Sequence, residues 1–160
     1  MNVVSNTSPL IFLAQLHKLD FLAPYQVYVP RQVLQEILNG KGAGHLDYAI
    51  IEKEIIKAGF MVAETHILPD LPRNLGEGEC AAISLAVHRK VKRVLIDEAQ
   101  GRKIARLYGL QPRGTLGVIL EQYHRKKITK EECRKLIFQL VGFGYRISED
   151  VLVILLKEIE

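Results

Sequence analysis

The sequence predicts an α/β fold: a single-domain, Rossmann-like parallel sheet of about five strands flanked by helices, with a helical C-terminal segment. Three observations point there. Over residues 1–114, short β-branched runs alternate with longer segments of helical spacing, the pattern of parallel strands joined by helical crossovers. Residues 115–160 lose the strands and repeat apolar residues at i, i+3, i+4 and i+7. The composition, 160 residues with 48% hydrophobic and 25% charged, suits one domain that buries a core without disulfide or metal staples. The expected organisation is therefore one domain over 1–160, an α/β core over 1–114 and C-terminal helices over 115–160.

In chain order, Val3-Val4 reads as the first buried strand, and Ser8 with Pro9 as the cap and first position of the first helix. Val27-Tyr28-Val29 is the second strand. Pro30 then opens a helix whose apolar face is Val33, Leu34, Ile37 and Leu38. A third helix spans Leu46 to Lys57, and a third strand follows at Phe60-Met61-Val62. Residues 64–76 form a long irregular loop. Gly76 can cap a fourth helix to about His88, Val94-Leu95-Ile96 is the fourth strand, and a fifth helix runs from Gln100 to Tyr108. A short fifth strand lies near Gln111-Pro112. Three apolar stripes then follow: Leu116, Ile119, Leu120 and Tyr123; Cys133, Leu136, Ile137 and Leu140; and Leu152, Leu155, Leu156 and Ile159. Thr129 and Glu132 form a capping box, and Ser148 can cap the last helix. In that last helix, Val151, Ile154 and Leu155 suit packing on one side, with Leu152 and Leu156 widening the stripe.

The longest unbroken apolar runs, Pro9 to Ala14 and Val151 to Leu156, cannot span a bilayer, and no secretory signal pattern opens the chain. A cytoplasmic protein with no membrane association is expected. Cys80 and Cys133 make neither a disulfide framework nor a zinc site and read as core fillers; the five His residues lack ligand spacing. Gly40-Lys41-Gly42 with Gly44 lacks the phosphate-loop ending, and no nucleophile elbow surrounds Ser84. The net charge of +4 conceals an asymmetry: residues 1–80 hold 6 Lys/Arg against 9 Asp/Glu, and residues 81–160 hold 16 against 9. Two basic clusters, at 88–93 and 124–130, fall where helices end, so dipole complementation explains them better than phosphate attraction does.

Ligands of open α/β sheets bind beyond the carboxyl ends of the strands. Asn6 follows the first strand there, and Asp97 with Glu98 follows the fourth; Glu36 lies on the second helix, and Glu77 and Glu79 in the first turn of the fourth. Crowded carboxylates repel unless cations compensate, and Mg²⁺ or Mn²⁺ takes such oxygen donors. A bound metal of that kind suits cleavage of a phosphodiester. Each residue also has an ordinary reading as a cap, a dipole partner or a solvated position.

Val3-Val4-Ser5-Asn6-Thr7-Ser8-Pro9-Leu10-Ile11 resembles the opening strand and turn of PIN-domain proteins. Gly76-Glu77-Gly78-Glu79-Cys80-Ala81-Ala82-Ile83-Ser84-Leu85-Ala86 is similar to their Gly-Glu-x-Glu-Ala-x-Ala-type helix. Val94-Leu95-Ile96-Asp97-Glu98, Gly101-Arg102-Lys103-Ile104-Ala105, Gly109-Leu110 and Gly114-Thr115-Leu116-Gly117 extend the match through nearly the whole chain. The wording resembles a prokaryotic PIN-like branch close to VapC-type toxins of type II toxin–antitoxin pairs. The resemblance implies a PIN-like fold and a metal-dependent endoribonuclease using Mg²⁺ or Mn²⁺. It also implies RNA as substrate, a homodimer, and a small antitoxin protein as partner. Carried over by position, Glu36, Glu79 and Asp97 are the catalytic carboxylates, and Asn6, Glu36, Glu79, Asp97 and Glu98 the metal ligands. Glu77 is the alternative acidic residue. Arg102, Lys103 and Arg113 are the candidate RNA phosphate contacts. The chain departs from the family where Asn6 replaces the usual Asp: an amide oxygen can ligate a hard cation but brings no charge. A catalytically weakened PIN-like RNA- or protein-binding module is therefore the second reading. A receiver-like Mg-binding phosphotransfer domain built on Asp97-Glu98 is the third.

Overall fold

The computed structural model describes residues 1–40 and 48–160. Among these, β1 (Asn2–Ser5), β2 (Gln26–Pro30), β3 (Met61–Ala63), β4 (Arg93–Leu95) and β5 (Gln111–Arg113) form a parallel sheet in the order β3-β2-β1-β4-β5. The helices are α1 (Thr7–Gln15), α2 (Arg31–Leu38), α3 (Tyr48–Lys57), α4 (Glu77–His88), α5 (Ala99–Leu107), α6 (Thr115–His124), α7 (Lys130–Gly142) and α8 (Glu149–Glu158). The predicted start of α3 at Leu46, like Lys41, Gly42, Gly44 and His45, lies outside the described residues. A 3-10 turn at Leu19–Leu22 is an addition that apolar periodicity does not predict.

Central β1 aligns Val3 with Val27 and Arg93, and Val4 with Tyr28 and Val94. Neighbouring strand residues face opposite ways. Val3, Val27, Val29 and Leu95 therefore join the core that also takes residues of α1, α2, α3, α6 and α7. Val4, Val94, α4 and α5 build the second core. A sheet covered on both faces explains why its strands read as continuous apolar runs. Helix α4 is buried nearly all round, from Cys80 to Ala86, and its alanines let it pack against β1 and β2. Pro112 sits in β5, an edge strand, where a missing N–H is tolerated.

Several element ends shift. β3 and β4 run one residue later and one earlier than predicted, and α5 starts and ends one residue earlier, at Ala99 and Leu107. Helix α1 starts at Thr7 with Asn6 as N-cap, not Ser8, and Asn6 makes no capping bond with its side chain. Pro9 is accommodated inside the first turn, where N–H groups have no intrahelical acceptor. Pro30 closes β2 and stands just before α2. Thr129 caps α7 by accepting from the Glu132 N–H at 3.1 Å, while the Glu132 carboxylate accepts from Lys18 rather than closing the box. Ser148 caps α8 as expected. The buried face of α8 is Leu155 and Ile159 with Leu152 and Leu156 against them; Val151 and Ile154 face outward, the reverse of the expected inner edge. Both basic clusters do lie at helix ends: Lys90 follows α4 and Lys126 follows α6, each in the left-handed region. No described helix is long and apolar enough to cross a membrane.

Candidate functional site

The strand order places β2 and β3 on one side of β1 and β4 and β5 on the other, so the switch point lies between β1 and β4. The Asn6 N–H donates to the Leu95 carbonyl at 2.9 Å and ties the two strand ends together. Asn6 and Glu36 of α2 meet beside Gly78, Glu79 of α4 feels the charges of Glu36 and Glu98, and Asp97 follows β4 with Thr115, Tyr145 and Arg102 around it.

Glu36 is held from two directions. Thr7 Oγ1 donates to its Oε2 at 2.5 Å, and the Gly78 N–H, in the first turn of α4, donates to its Oε1 at 2.9 Å. A free N–H at a helix start is a favourable partner for a carboxylate. Residue 78 must be small: a Cβ there would lie 2.5 Å from Glu36 Oε2 and 2.9 Å from Asn6 Oδ1, which places those two oxygens around one point. Gly101 meets the same requirement on the other side, since a Cβ on it would collide with Glu79 Oε2. The glycines thus let α4 and α5 close around the acidic side chains.

Glu79 occupies the third helical position of α4, and the backbone of Gly76 hydrogen-bonds its carboxylate. Burial pushes the Glu79 carboxyl above the ordinary 4.5; the Gly76 bond opposes this, and the charges of Glu98 and Glu36 add to it. Its Oε2 and Asn6 Oδ1 are buried with no hydrogen-bond partner. Asp97 is arranged differently. Its Oδ1 accepts from the Thr115 N–H at 2.6 Å, its Oδ2 from Thr115 Oγ1 at 2.8 Å, and Tyr145 also hydrogen-bonds it. Burial raises the Asp97 pKa, with these bonds and the Arg102 charge working against it. Burial also pushes the Tyr145 phenol above 10, reinforced by Asp97.

Glu77 stands exposed in a neighbouring cleft of about 430 Å³ that Arg31, Gln32, Gln35, Asn39 and Glu36 also line, so Glu79 rather than Glu77 is the α4 carboxylate turned to Gly101. Arg102 is half-buried and donates to the carbonyls of Asp97 and Ile96. Lys103 is exposed on α5. Arg113 is drawn off to Glu121 at 2.8 Å, a carboxylate that Arg125 also engages at 2.7 Å. Sequence reasoning missed Thr115 and Tyr145 as partners of Asp97. Thr115 belongs to the Gly114-Thr115-Leu116-Gly117 motif, while Tyr145, in the connection between α7 and α8, carries no local signal.

A family model described as PIN domain matches residues 2–160. The chain belongs to the PIN-domain family. Among solved structures it is similar to a PilT N-terminus domain protein from the hyperthermophilic archaeon Sulfolobus solfataricus P2. The TM-score is 0.56 at 14% identity, covering 76% of this chain and 92% of that one, a likeness of fold. No curated protein matches the chain. PIN domains are typically nucleases that use divalent metal ions and act on nucleic acid. Membership displaces the receiver-like reading.

Among the described residues of this PIN domain, no group of three or more His, Cys, Asp or Glu side chains stands ready to hold a metal ion. The donors it does present are Asn6 Oδ1 and Glu79 Oε2, buried and unpartnered, beside Glu36. Leaving a buried acceptor unsatisfied costs about 1–3 kcal/mol, more for a charged group. Each of the two is an oxygen of the kind a hard divalent cation takes, an amide in one case and a carboxylate in the other. Asp97, by contrast, has both oxygens engaged by Thr115.

Proposed function

We propose that this PIN domain is a metal-dependent endoribonuclease, the toxin-like component of a type II toxin–antitoxin pair. The observation that carries the nuclease reading is the pair of buried, unpartnered oxygens, Asn6 Oδ1 and Glu79 Oε2, beside Glu36 at the switch point. Asn6, Glu36 and Glu79 would hold Mg²⁺ or Mn²⁺, with Asp97 and Glu98 completing the acidic set. When bound, the ion supplies charge neutralisation on a phosphodiester and acidifies a water. The chain's residues then do the positioning. Thr7 and the Gly78 N–H fix Glu36, and Thr115 and Tyr145 fix Asp97. Arg102 is the phosphate contact nearest the centre, Lys103 is available from solvent, and Arg113 must leave Glu121 to contribute. Residues 1–160 act as one domain in this reading, since Tyr145 from the C-terminal helices completes the site. It works in the cytoplasm as a homodimer held in check by a small antitoxin. Val151, Val153 and Ile154, exposed on α8, offer apolar surface for such contacts.

The test is cleavage of a mixed-sequence RNA with Mg²⁺ or Mn²⁺ and with chelator, for wild type, Glu79→Gln and Asp97→Asn. Metal-dependent cleavage lost in both variants is expected; activity that survives both, or that ignores chelator, contradicts the assignment. The second reading, a non-catalytic binding module, rests on Asn6, whose neutral amide lowers the charge available for the metal. It predicts RNA binding without cleavage, even in metal.

A further inference from the structure

We propose that the cleft beside Glu36 is a base-recognition site, in which Glu77 reads the Watson–Crick edge of a guanine in single-stranded RNA. This rests on the nuclease reading for RNA as the ligand and adds the base that is selected. The cleft, of about 430 Å³, lies between one face of α2, the end of β3 and the start of α4. Gln32, Gln35, Glu36 and Asn39 line it from α2 at spacings of three and four, the spacing of neighbours on one helix face, while Val33 and Ile37 turn into the core. Opposite them stand Glu64 and Thr65 after β3 and Glu77 in the first turn of α4. Glu36 belongs to the cleft and to the acidic centre at once, held by Thr7 and the Gly78 N–H beside Asn6. A base in the cleft therefore belongs to a nucleotide flanking the phosphodiester at that centre.

The three carboxylates of the cleft differ in what they already hold. Both oxygens of Glu36 are engaged, and Glu64 pairs with Arg31 Nε at 3.0 Å. Glu77 is exposed and has no hydrogen bond or ion pair among the described residues. Gln35 Nε2 donates to Asn39 Oδ1 at 3.0 Å, so the Asn39 amide is oriented and its amino group is left without a partner among the described residues. An ionised carboxylate only accepts, through two oxygens. Guanine is the base whose Watson–Crick edge sets two donors side by side, N1–H and N2–H; the other bases put one donor beside an acceptor. The Asn39 amino group is a donor of the kind guanine O6 takes. With Arg31 engaged by Glu64, the described lining holds no free cation, so it suits a base edge and not a phosphate. It holds no apolar side chain either, so an apolar protein segment gains nothing there.

The test is fluorescence anisotropy with the full chain in EDTA, using labelled oligouridylates that carry one guanosine, adenosine or cytidine, and the plain oligouridylate. Wild type is expected to bind the guanosine oligomer about tenfold more tightly than the other three, the discrimination that one good bidentate pair supplies. Glu77→Gln exchanges two acceptors for one acceptor and one donor. It is expected to lose the guanosine preference and to favour adenosine, a switch that a merely structural role does not produce. Asn39→Ala is expected to narrow the guanosine preference about threefold, the worth of one hydrogen bond. Equal binding of the four oligomers by wild type, binding of none, or the same guanosine preference in Glu77→Gln overturns the base site. A preference that Glu77→Gln switches, in a wild type that cleaves nothing in metal, upholds the site and removes the nuclease reading. An arginine-rich peptide bound by wild type and lost in Glu77→Gln, with no base preference in RNA, overturns the assignment to RNA.

Discussion

Glu79 shows how one residue serves both fold and site. One end of its carboxylate completes the start of α4 through the Gly76 backbone, and Oε2 is left buried without a partner. Because burial raises its pKa, the folded chain binds the Glu79 proton more tightly than the unfolded chain. The stability this contributes is fully present below the unfolded value near 4.5 and is lost as pH rises through the raised value. Asp97 has the same sign, from an ordinary 3.8. In chelator, the urea midpoint of the wild type is expected to fall relative to that of Glu79→Gln as pH rises above 4.5. A difference between the two proteins that is flat or reversed with pH contradicts this account of Glu79. Metal reverses the trend for the wild type alone, since it binds the ionised carboxylate.

Among the elements, α4 does more than cover the sheet. Ser84, fully buried at mid-helix, accepts from the Leu68 N–H at 2.9 Å, and one turn on His88 Nδ1 meets Thr65 Oγ1 at 3.2 Å. These contacts fasten the irregular 64–76 segment that carries the chain from β3 to α4. Ser84→Ala leaves the Leu68 N–H without that acceptor and is expected to cost about 1–3 kcal/mol in urea denaturation. Proteolysis should become faster within 64–76 and stay unchanged elsewhere; an unaltered cleavage pattern shows the contact to be dispensable. Such stitching is invisible in sequence because the partners lie 16 and 23 residues apart with no shared period. Local signals survive better. The Thr129 and Ser148 caps and the stripes of α6 and α7 stand where short-range pattern places them, and the strand runs do so to within a residue. On α8 the core selects the expected stripe of Leu152, Leu155, Leu156 and Ile159 but leaves Val151 and Ile154, which share a helical edge with Leu155, outside.

At the scale of the whole molecule, the strand order makes the site. Reversal at β1 sets Asn6 beside the end of β4, while Glu36 of α2 meets Asn6 Oδ1 at Gly78 in the first turn of α4. Asn6, Glu79 and Asp97 could be named from sequence because they lie at strand ends or a helix start, positions that turns and caps mark, whereas Glu36 sits inside α2. The division of labour among them was not legible. That Asp97 spends its oxygens on Thr115 and Tyr145, that Arg113 is taken by Glu121, and that Gly78 and Gly101 make room for carboxylates follow from packing across the fold. The mild net charge of +4 likewise conceals acidic side chains near the switch point and a basic excess over residues 81–160. The most direct test of the metal-centre account is a calorimetric titration of the chelator-stripped protein with Mn²⁺, comparing wild type, Glu79→Gln and Asn6→Asp. The account predicts one site in the wild type, its loss in Glu79→Gln and tighter binding in Asn6→Asp, where a carboxylate replaces the neutral amide. Absence of wild-type binding, or equal binding by all three proteins, would contradict it.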